Sequence, residues 1–359
     1  MRILHIAPMN TAGVPINFVK AEREIGAYSR LIVLGANSQN REGDIYMNLP
    51  FLDSAFVAAI KRIVTPGHRR NIDCHAVPPD RIPKIWKPNA AEKLLIQMRE
   101  ALWKPSVAQV LEEVDFWSFD VYQLDGGLGF FRNSRILRRL KQLNKKIVVC
   151  YTGSDLRTRG VIPEIDAMAD VRVTVEFDHL QYHPNIRYVP FPFDFSMLPQ
   201  KARRDSGSLI IGHAPTNRRA KGSDIIINAV KELQQEYPHI ELDLIEGVPY
   251  KEALERKSRC TLFIDQIGNL GYGINSIESL GMGIVTCSGL APGFSSMFRG
   301  HPFIEIDRNS IKDNIRNIIN NNEKRADLEE RSASWVRSIH NSSTVVQKIH
   351  DMIYTQGLQ

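Results

Sequence analysis

Gly271, Tyr272 and Gly273 separate a short apolar run from the stretch 274–280, and Glu278 follows one turn later. Glycines at such a turn let backbone N–H groups approach an anion closely. The first turn of a following helix adds the positive end of its dipole, so a nucleotide diphosphate fits here. Glycines this close together also make tight turns that hold nothing. The Glu278 carboxylate would lie near the same sheet edge and accept hydrogen bonds from ribose hydroxyls, each worth about 1.5–3 kcal/mol; helix capping is its other use. A second cluster, Arg218, Arg219 and Lys221 in the loop 213–223, offers cations for the same diphosphate, or only a solvated basic loop. In the N-terminal half Gly13 stands in the first strand-to-helix turn, 8–15. Asp125 and Asp155 each follow an apolar run, where a carboxylate orients an acceptor hydroxyl or makes a turn or cap.

These residues need elements to carry them. Short β-branched runs alternate with stretches of helical periodicity, the pattern of parallel sheets covered by helices, and the series occurs twice. The first predicts a strand over 2–7, a helix over 14–25 and strands over 29–34, 120–124, 146–151, 171–175 and 186–189, with a basic helix over 133–143. Residues 50–114, rich in Pro, Trp and charge, read as an irregular helical insertion. The Pro-containing stretch 190–207 breaks periodicity and reads as a linker. The second series predicts strands over 209–213, 241–245, 261–264 and 284–287, with helices over 223–237, 250–257 and 274–280, and Ser223 as an N-cap. Helices from 311 onward close the chain. The expected domains are 1–193, 194–340 and a terminal helix over 341–359.

The chain has 359 residues, beyond the size at which one core stops growing, which also predicts two domains. Its composition, 43% hydrophobic and 24% charged, is that of an ordinary globular protein. Cys74, Cys150, Cys260 and Cys287 are far apart, so reduced thiols and a cytoplasmic location are expected. No run reaches the ~20 apolar residues of a membrane span. The net charge of +6 favours anionic partners. Part of it, Lys61, Arg62, His68, Arg69 and Arg70, follows the apolar run 51–60, as in a segment resting on an anionic membrane face or a core helix with a basic flank. No nucleic-acid-reading motif accompanies the charge, and Cys74 with His75 is too short to make a metal site.

The segment 269–287 resembles the signature of retaining GT-B glycosyltransferases of the family-four type, in which two Glu residues flank a Gly-aromatic-Gly turn ahead of a small-residue helix and a strand. Glu278 matches the second Glu, which in that family holds the donor ribose, and Gly271, Tyr272 and Gly273 match the turn. Leu270 stands where the family has the first Glu, with Asp265 or Gln266 as nearby substitutes. Lys221 matches the family's diphosphate-binding Lys, and Arg218 or Arg219 stands in for its Arg. Gly13 matches the glycine loop, and residues 152–157 and 189–194 are similar to further segments of related enzymes. The resemblance implies an α/β protein of GT-B type, with two Rossmann-like doubly wound domains facing a central cleft. It implies transfer of a sugar, with retention and without metal or other cofactor, from a nucleotide-sugar donor, UDP being the commonest, to a saccharide or lipid-linked acceptor, as in polysaccharide biosynthesis. Peripheral contact with an anionic membrane would suit a lipid-linked acceptor. A sugar-nucleotide epimerase, or a degenerate relative that binds without turnover, are alternatives on the same fold.

Overall fold

A computed structural model describes residues 1–37, 42–52, 82–202, 208–268 and 270–355. Cys74, the basic cluster from Lys61 to Arg70, Asn269 and all but the first two residues of 51–70 lie outside the described residues. The chain divides into two compact units, Met1–Phe193 with Ser342–Gln359, and Asp194–Asn341.

In the first unit β1 (Arg2–Ala7), β2 (Tyr28–Val33), β3 (Ile45–Tyr46), β4 (Val121–Asp125), β5 (Lys146–Tyr151), β6 (Val171–Thr174) and β7 (Arg187–Tyr188) form one sheet, in the order β3-β2-β1-β4-β5-β6-β7. All its pairings are parallel. Strands covered on both faces need unbroken apolar runs, and Ile147, Val148, Val149 and Cys150 of β5 are fully buried. The strand order reverses between β1 and β4, and ligands of open α/β sheets bind at the carboxyl ends beside such a reversal. The covering helices are α1 (Val14–Glu24), α2 (Ala90–Glu113), α3 (Arg135–Gln142), α4 (Asp155–Thr158) and α5 (Pro163–Met168).

In the second unit β8 (Leu209–His213), β9 (Ile240–Leu244), β10 (Leu262–Ile264), β11 (Val285–Ser288) and β12 (Ile304–Glu305) pair in the order β12-β11-β10-β8-β9, again all parallel. Its switch point lies between β8 and β10. The helices are α6 (Arg218–Lys221), α7 (Ser223–Glu236), α8 (Tyr250–Ser258), α9 (Ile274–Gly281), α10 (Phe294–Met297), α11 (Ile311–Asn320) and α12 (Asn322–Ile339). Ile226, Val230 and Leu233 of α7 are buried in one core with Ile211, Leu262, Ile264 and Val285, each burial worth about 1.5–3 kcal/mol. The last helix, α13 (Ser342–Thr355), belongs to the first unit. It packs on α1, with Val345, Val346, Ile349 and Ile353 buried.

One expectation is refined and one corrected. The insertion over 50–114, expected to be helical but irregular, includes the regular 24-residue helix α2. It starts at a capping box in which Asn89 accepts from the Glu92 N–H and Glu92 accepts from the Asn89 N–H. Ser223 is not the N-cap of α7. Gly222 holds that position in the left-handed region, φ 69°, where a Cβ would lie 2.4 Å from Ile267 Cγ1, so glycine is required. The Ser223 hydroxyl turns inward to His213 instead.

The sequence reading also passes over an ionic cluster inside β1. His5 is fully buried. Its Nε2 lies 2.9 Å from a Glu22 oxygen and its Nδ1 3.2 Å from an Asp125 oxygen. Glu22 also accepts from the Ser29 hydroxyl at 2.6 Å, and His350 of α13 stands 3.8 Å from its other oxygen. Burial works against the imidazolium, but the Glu22 and Asp125 carboxylates outweigh it and push His5 up to about 10. Burial likewise works against the Glu22 carboxylate, yet His5, the nearby His350 and the bond from Ser29 hold it down to about 2.

Glu22 therefore contributes stability above its unfolded value near 4.5 that is lost as pH falls toward 2, while His5 contributes below 6.5 and loses it as pH rises through about 10. His5→Leu should cost about 3–5 kcal/mol by stranding two buried carboxylates. Urea unfolding from pH 3 to 10 checks this, and a loss under about 1 kcal/mol would show the cluster to be energetically idle.

Candidate functional site

The loops after β8 and β10 meet at the switch point of the second sheet. β8 ends at His213, which is fully buried, with Nδ1 2.8 Å from the Ile264 carbonyl and Nε2 2.8 Å from the Ser223 hydroxyl. Burial, helped by the Lys221 charge, keeps it below the ordinary histidine value. The neutral ring donates to Ile264 and accepts from Ser223, tying β8, β10 and the start of α7 together. Next comes α6, with Asn217 Oδ1 accepting from the Ala220 N–H at 3.1 Å, and it ends on Lys221.

Lys221 Nζ is 2.5 Å from Asp265 Oδ1, just beyond β10. The lysine side chain is 20% exposed and the aspartate 0%. Asp265 Oδ2 accepts from the Gly273 N–H at 3.0 Å and the Ser276 hydroxyl at 2.7 Å, both at the start of α9. Burial raises the Asp265 carboxyl, but the Lys221 charge and these donors hold it below the ordinary carboxylate value. One buried carboxylate thus fixes a partly exposed ammonium beside the N-terminus of an eight-residue helix, where cation and helix dipole act on the same space.

The structure brings Lys221 and Gly273 together: a Cβ on Gly273 would stand 3.5 Å from Lys221 Nζ. Gly271 lies in the same turn, its carbonyl 3.4 Å from Gln266 Nε2. Arg218 pairs with Glu246, with Nε to Oε1 at 2.8 Å and Nη2 to Oε2 at 2.5 Å, and Arg219 is exposed. Tyr272 turns away from the loop into an aromatic cluster with Phe294, Phe303 and Trp335, its hydroxyl 2.8 Å from His340 Nε2. It can offer a ligand only its backbone. Asp265, a substitute for the carboxylate missing at Leu270, is 1% exposed with both oxygens engaged. It positions Lys221 and does not face a sugar. Gln266 is likewise turned inward, to Gly268, Gly271 and Gly289.

Glu278 is 1% exposed. Its Oε1 accepts from the Tyr250 hydroxyl at 2.7 Å, and its Oε2 is bonded to Lys257 Nζ. Lys257 is 2% exposed and also reaches Asn275 Oδ1 at 2.5 Å, whose amide donates to the Ala214 carbonyl at 2.7 Å. Lys257, Tyr250 and Asn275 were not singled out from sequence. The available signal was Lys257 three residues after the buried Leu254, a cation on the apolar side of its helix. Tyr250 is 37% exposed, so of the two partners of Glu278 its hydroxyl is the one nearer solvent.

In the first unit Gly13 has φ 73° and follows Ala12, also left-handed at φ 56°. A non-glycine residue there costs about 1–3 kcal/mol, so the turn after β1 is a strained one. Asp125 is 2% exposed, one oxygen on His5 and the other accepting from Gln123 Nε2 at 2.9 Å. It belongs to the buried cluster and not to an acceptor surface. Asp155 is a quarter exposed. Burial raises its carboxyl despite the charge of Arg159, whose Nη1 is 3.7 Å away, and a Cβ on Gly126 would stand 3.3 Å from its Oδ2. Its neighbour Arg157 is held by Asp178 at 2.5 Å and by the Gly153 carbonyl, which fastens the 152–157 loop to the segment after β6.

Among the described residues no group of three or more His, Cys, Asp or Glu side chains converges as a metal site requires. No described helix is long and apolar enough to cross a membrane. Cys150, Cys260 and Cys287 are buried and form no disulfide among the described residues.

No protein-family model and no curated protein matches this sequence. Solved structures match over the whole chain. Sucrose-phosphate synthase from Thermosynechococcus elongatus superposes with a TM-score of 0.64 at 10% identity, covering 100% of this chain and 99% of that one. Anabaena HepE in complex with UDP gives 0.58 at 12%, covering 99% and 100%. The chain has the GT-B fold. A putative UDP-N-acetylglucosamine 2-epimerase from Listeria monocytogenes gives 0.54 at 10%, covering 97% and 94%, so the likeness within the GT-B fold extends to an epimerase.

Lys257→Met should destabilise this GT-B protein by about 3–5 kcal/mol, since Glu278 would remain as a buried charge without a cation. Adding Glu278→Leu should recover most of the loss, and urea unfolding of the wild type, both single variants and the double variant reads the coupling.

Proposed function

We propose that this protein is a glycosyltransferase that uses a nucleotide-sugar donor, UDP-linked by preference, bound by the unit Asp194–Asn341. The observation that carries the reading is Lys221, locked by buried Asp265 at the switch point of the second sheet beside the N-terminus of α9. As the glycosidic bond of the donor breaks, negative charge collects on the leaving diphosphate. A cation already held in place stabilises that charge without reorganisation. Arg219 and the backbone around Gly271 complete the clamp, and Arg218 joins it by leaving Glu246. Gly13, in the strained turn after β1, belongs to the donor side. Glu278 receives the ribose once Tyr250 yields its hydrogen bond. The solved complexes of HepE with UDP and with UDP-glucose support the choice of donor.

Retention of configuration and independence from metal belong to the same proposal. So does a saccharide or lipid-linked acceptor, oriented by Asp155 with its raised carboxyl, at the carboxyl edge of the first sheet. Leu94, Leu95, Met98 and Leu102 are exposed on α2 at spacings that place them along one side, and this apolar strip suits a protein that touches a membrane surface. A second reading, a sugar-nucleotide 2-epimerase, is favoured by the epimerase among the structural neighbours.

UDP at ~100 times its dissociation constant should add about 2.7 kcal/mol to the thermal stability of the wild type, and GDP, ADP and CDP should add less. Lys221→Ala should lose the UDP effect. A wild type indifferent to all four nucleotides would remove the donor reading and leave a scaffold. Conversion of UDP-N-acetylglucosamine to its 2-epimer without acceptor would replace transfer by epimerisation.

A further inference from the structure

The first unit carries a cluster of half-buried arginines that the donor reading does not use. Arg159 Nη2 donates to the Gly126 carbonyl at 2.5 Å, in the loop after β4. Arg132, a few residues further along that loop, lies over the Trp86 ring at 5.4 Å. Arg99 of α2 lies over the Trp103 ring at 4.3 Å. The three guanidiniums repel one another through Arg132, which feels both others.

Asp155 and Glu100 are the carboxylates that act most strongly on Arg132. Asp155 is shared with the Thr152 N–H and Arg159. Glu100 spends its oxygens on the Arg132 backbone N–H at 2.5 Å and the Asn133 amide at 3.4 Å. Among the described residues neither carboxylate is bonded to the Arg132 guanidinium. Arg132 Nη1 and Arg99 Nε are both buried without a hydrogen-bond partner among the described residues. Burial, with the Arg159 and Arg99 charges, pulls Arg132 down to about 9. A guanidinium presents a planar fork of donors that matches a phosphate in bidentate fashion, and a buried donor left open calls for a partner.

We propose that Arg132, Arg159 and Arg99 form a subsite for a phosphate or diphosphate group on the acceptor, so that the sugar is transferred to an acidic, phosphorylated molecule. The proposal rests on the transferase reading for the word acceptor, while the subsite itself rests on these three side chains. Asp155 stands beside the Arg159 guanidinium and beside Gly126 of the loop after β4, against which Pro8 of the loop after β1 also packs. An acceptor held by its phosphate would then present a hydroxyl to that carboxylate.

The test is calorimetric titration of the full chain with inorganic pyrophosphate, with and without saturating UDP, for wild type, Arg132→Gln, Arg99→Gln and Lys221→Ala. One class of pyrophosphate site should persist under UDP and in Lys221→Ala. It should weaken on the order of tenfold or more in Arg132→Gln, as expected for the loss of a charge-assisted contact. Arg99→Gln should weaken it in the same direction, which keeps the test decisive if Arg132→Gln does not fold. Persistence of that class when UDP itself fails to bind would sustain the subsite and overturn the donor reading. Pyrophosphate binding that UDP abolishes entirely, or that neither arginine variant alters, would overturn the subsite and leave the donor reading standing. Two further arms identify the source of the phosphate. Arg132-dependent binding of glucose 6-phosphate indicates a soluble acceptor. Arg132-dependent binding to phosphatidylcholine vesicles carrying polyprenyl phosphate, absent with phosphatidylcholine alone, indicates a lipid one. Failure in both arms with wild type removes the proposal.

Discussion

A carboxylate taken out of water must find a cation, and in each half of this chain that requirement falls on the strand end beside the switch point. Asp125 closes β4 in the first sheet, and His5 of the adjacent β1 answers it. Asp265 follows β10 in the second, and Lys221, after the adjacent β8, answers it. Because the partners come from neighbouring strands across the reversal of strand order, each pair braces the place where the loops diverge. An ion pair of this kind adds little net stability over a hydrophobic substitute. What it adds here is a single arrangement of the loops around it.

The two pairs differ in exposure, and with it in what they are able to do. His5 and Asp125 are sealed, and Glu22, Ser29 and His350 complete a network wholly internal to the first unit. Lys221 is sealed on the side of Asp265 and open on the other. Its two remaining N–H bonds are available beside a helix terminus whose Gly273 N–H is already committed to the same aspartate. A ligand approaching this point meets a charge with little freedom left to lose, and that is the meaning of preorganisation in an electrostatic site.

Strand and helix order could be read from the sequence because the parallel strands are buried on both faces and the gaps between them are helical in period. The predicted strands over 2–7, 146–151 and 209–213 agree with β1, β5 and β8 to the residue. The regularity and bounds of helix α2 were hidden because its outward side carries Leu94, Leu95, Met98 and Leu102, which blurs the contrast between faces on which periodicity depends. Strands β3 and β12 have two residues each, too short for any period. At the candidate site the residue types were visible but their orientations were not. The Gly-aromatic-Gly pattern around Tyr272 has the same spelling whether the ring meets a ligand or the aromatic cluster under α12. Glu278 looks alike with or without Lys257. Pairings such as these join residues far apart in the chain, and no local pattern encodes them.

The helix α13 returns the chain to the unit in which it began, with the Tyr354 hydroxyl 3.3 Å from Met1 Sδ and His350 against Glu22. During synthesis, then, the first unit to start is the last to finish. Residues 194–341 contain all the strands of the second sheet and can fold as soon as they emerge, whereas α1 waits for residues 342–355 before its outer surface is covered. Until then Glu22 lacks its neighbour His350 and α1 lacks its apolar cover, so the nascent first unit is an open intermediate for the time needed to translate the whole of the second unit.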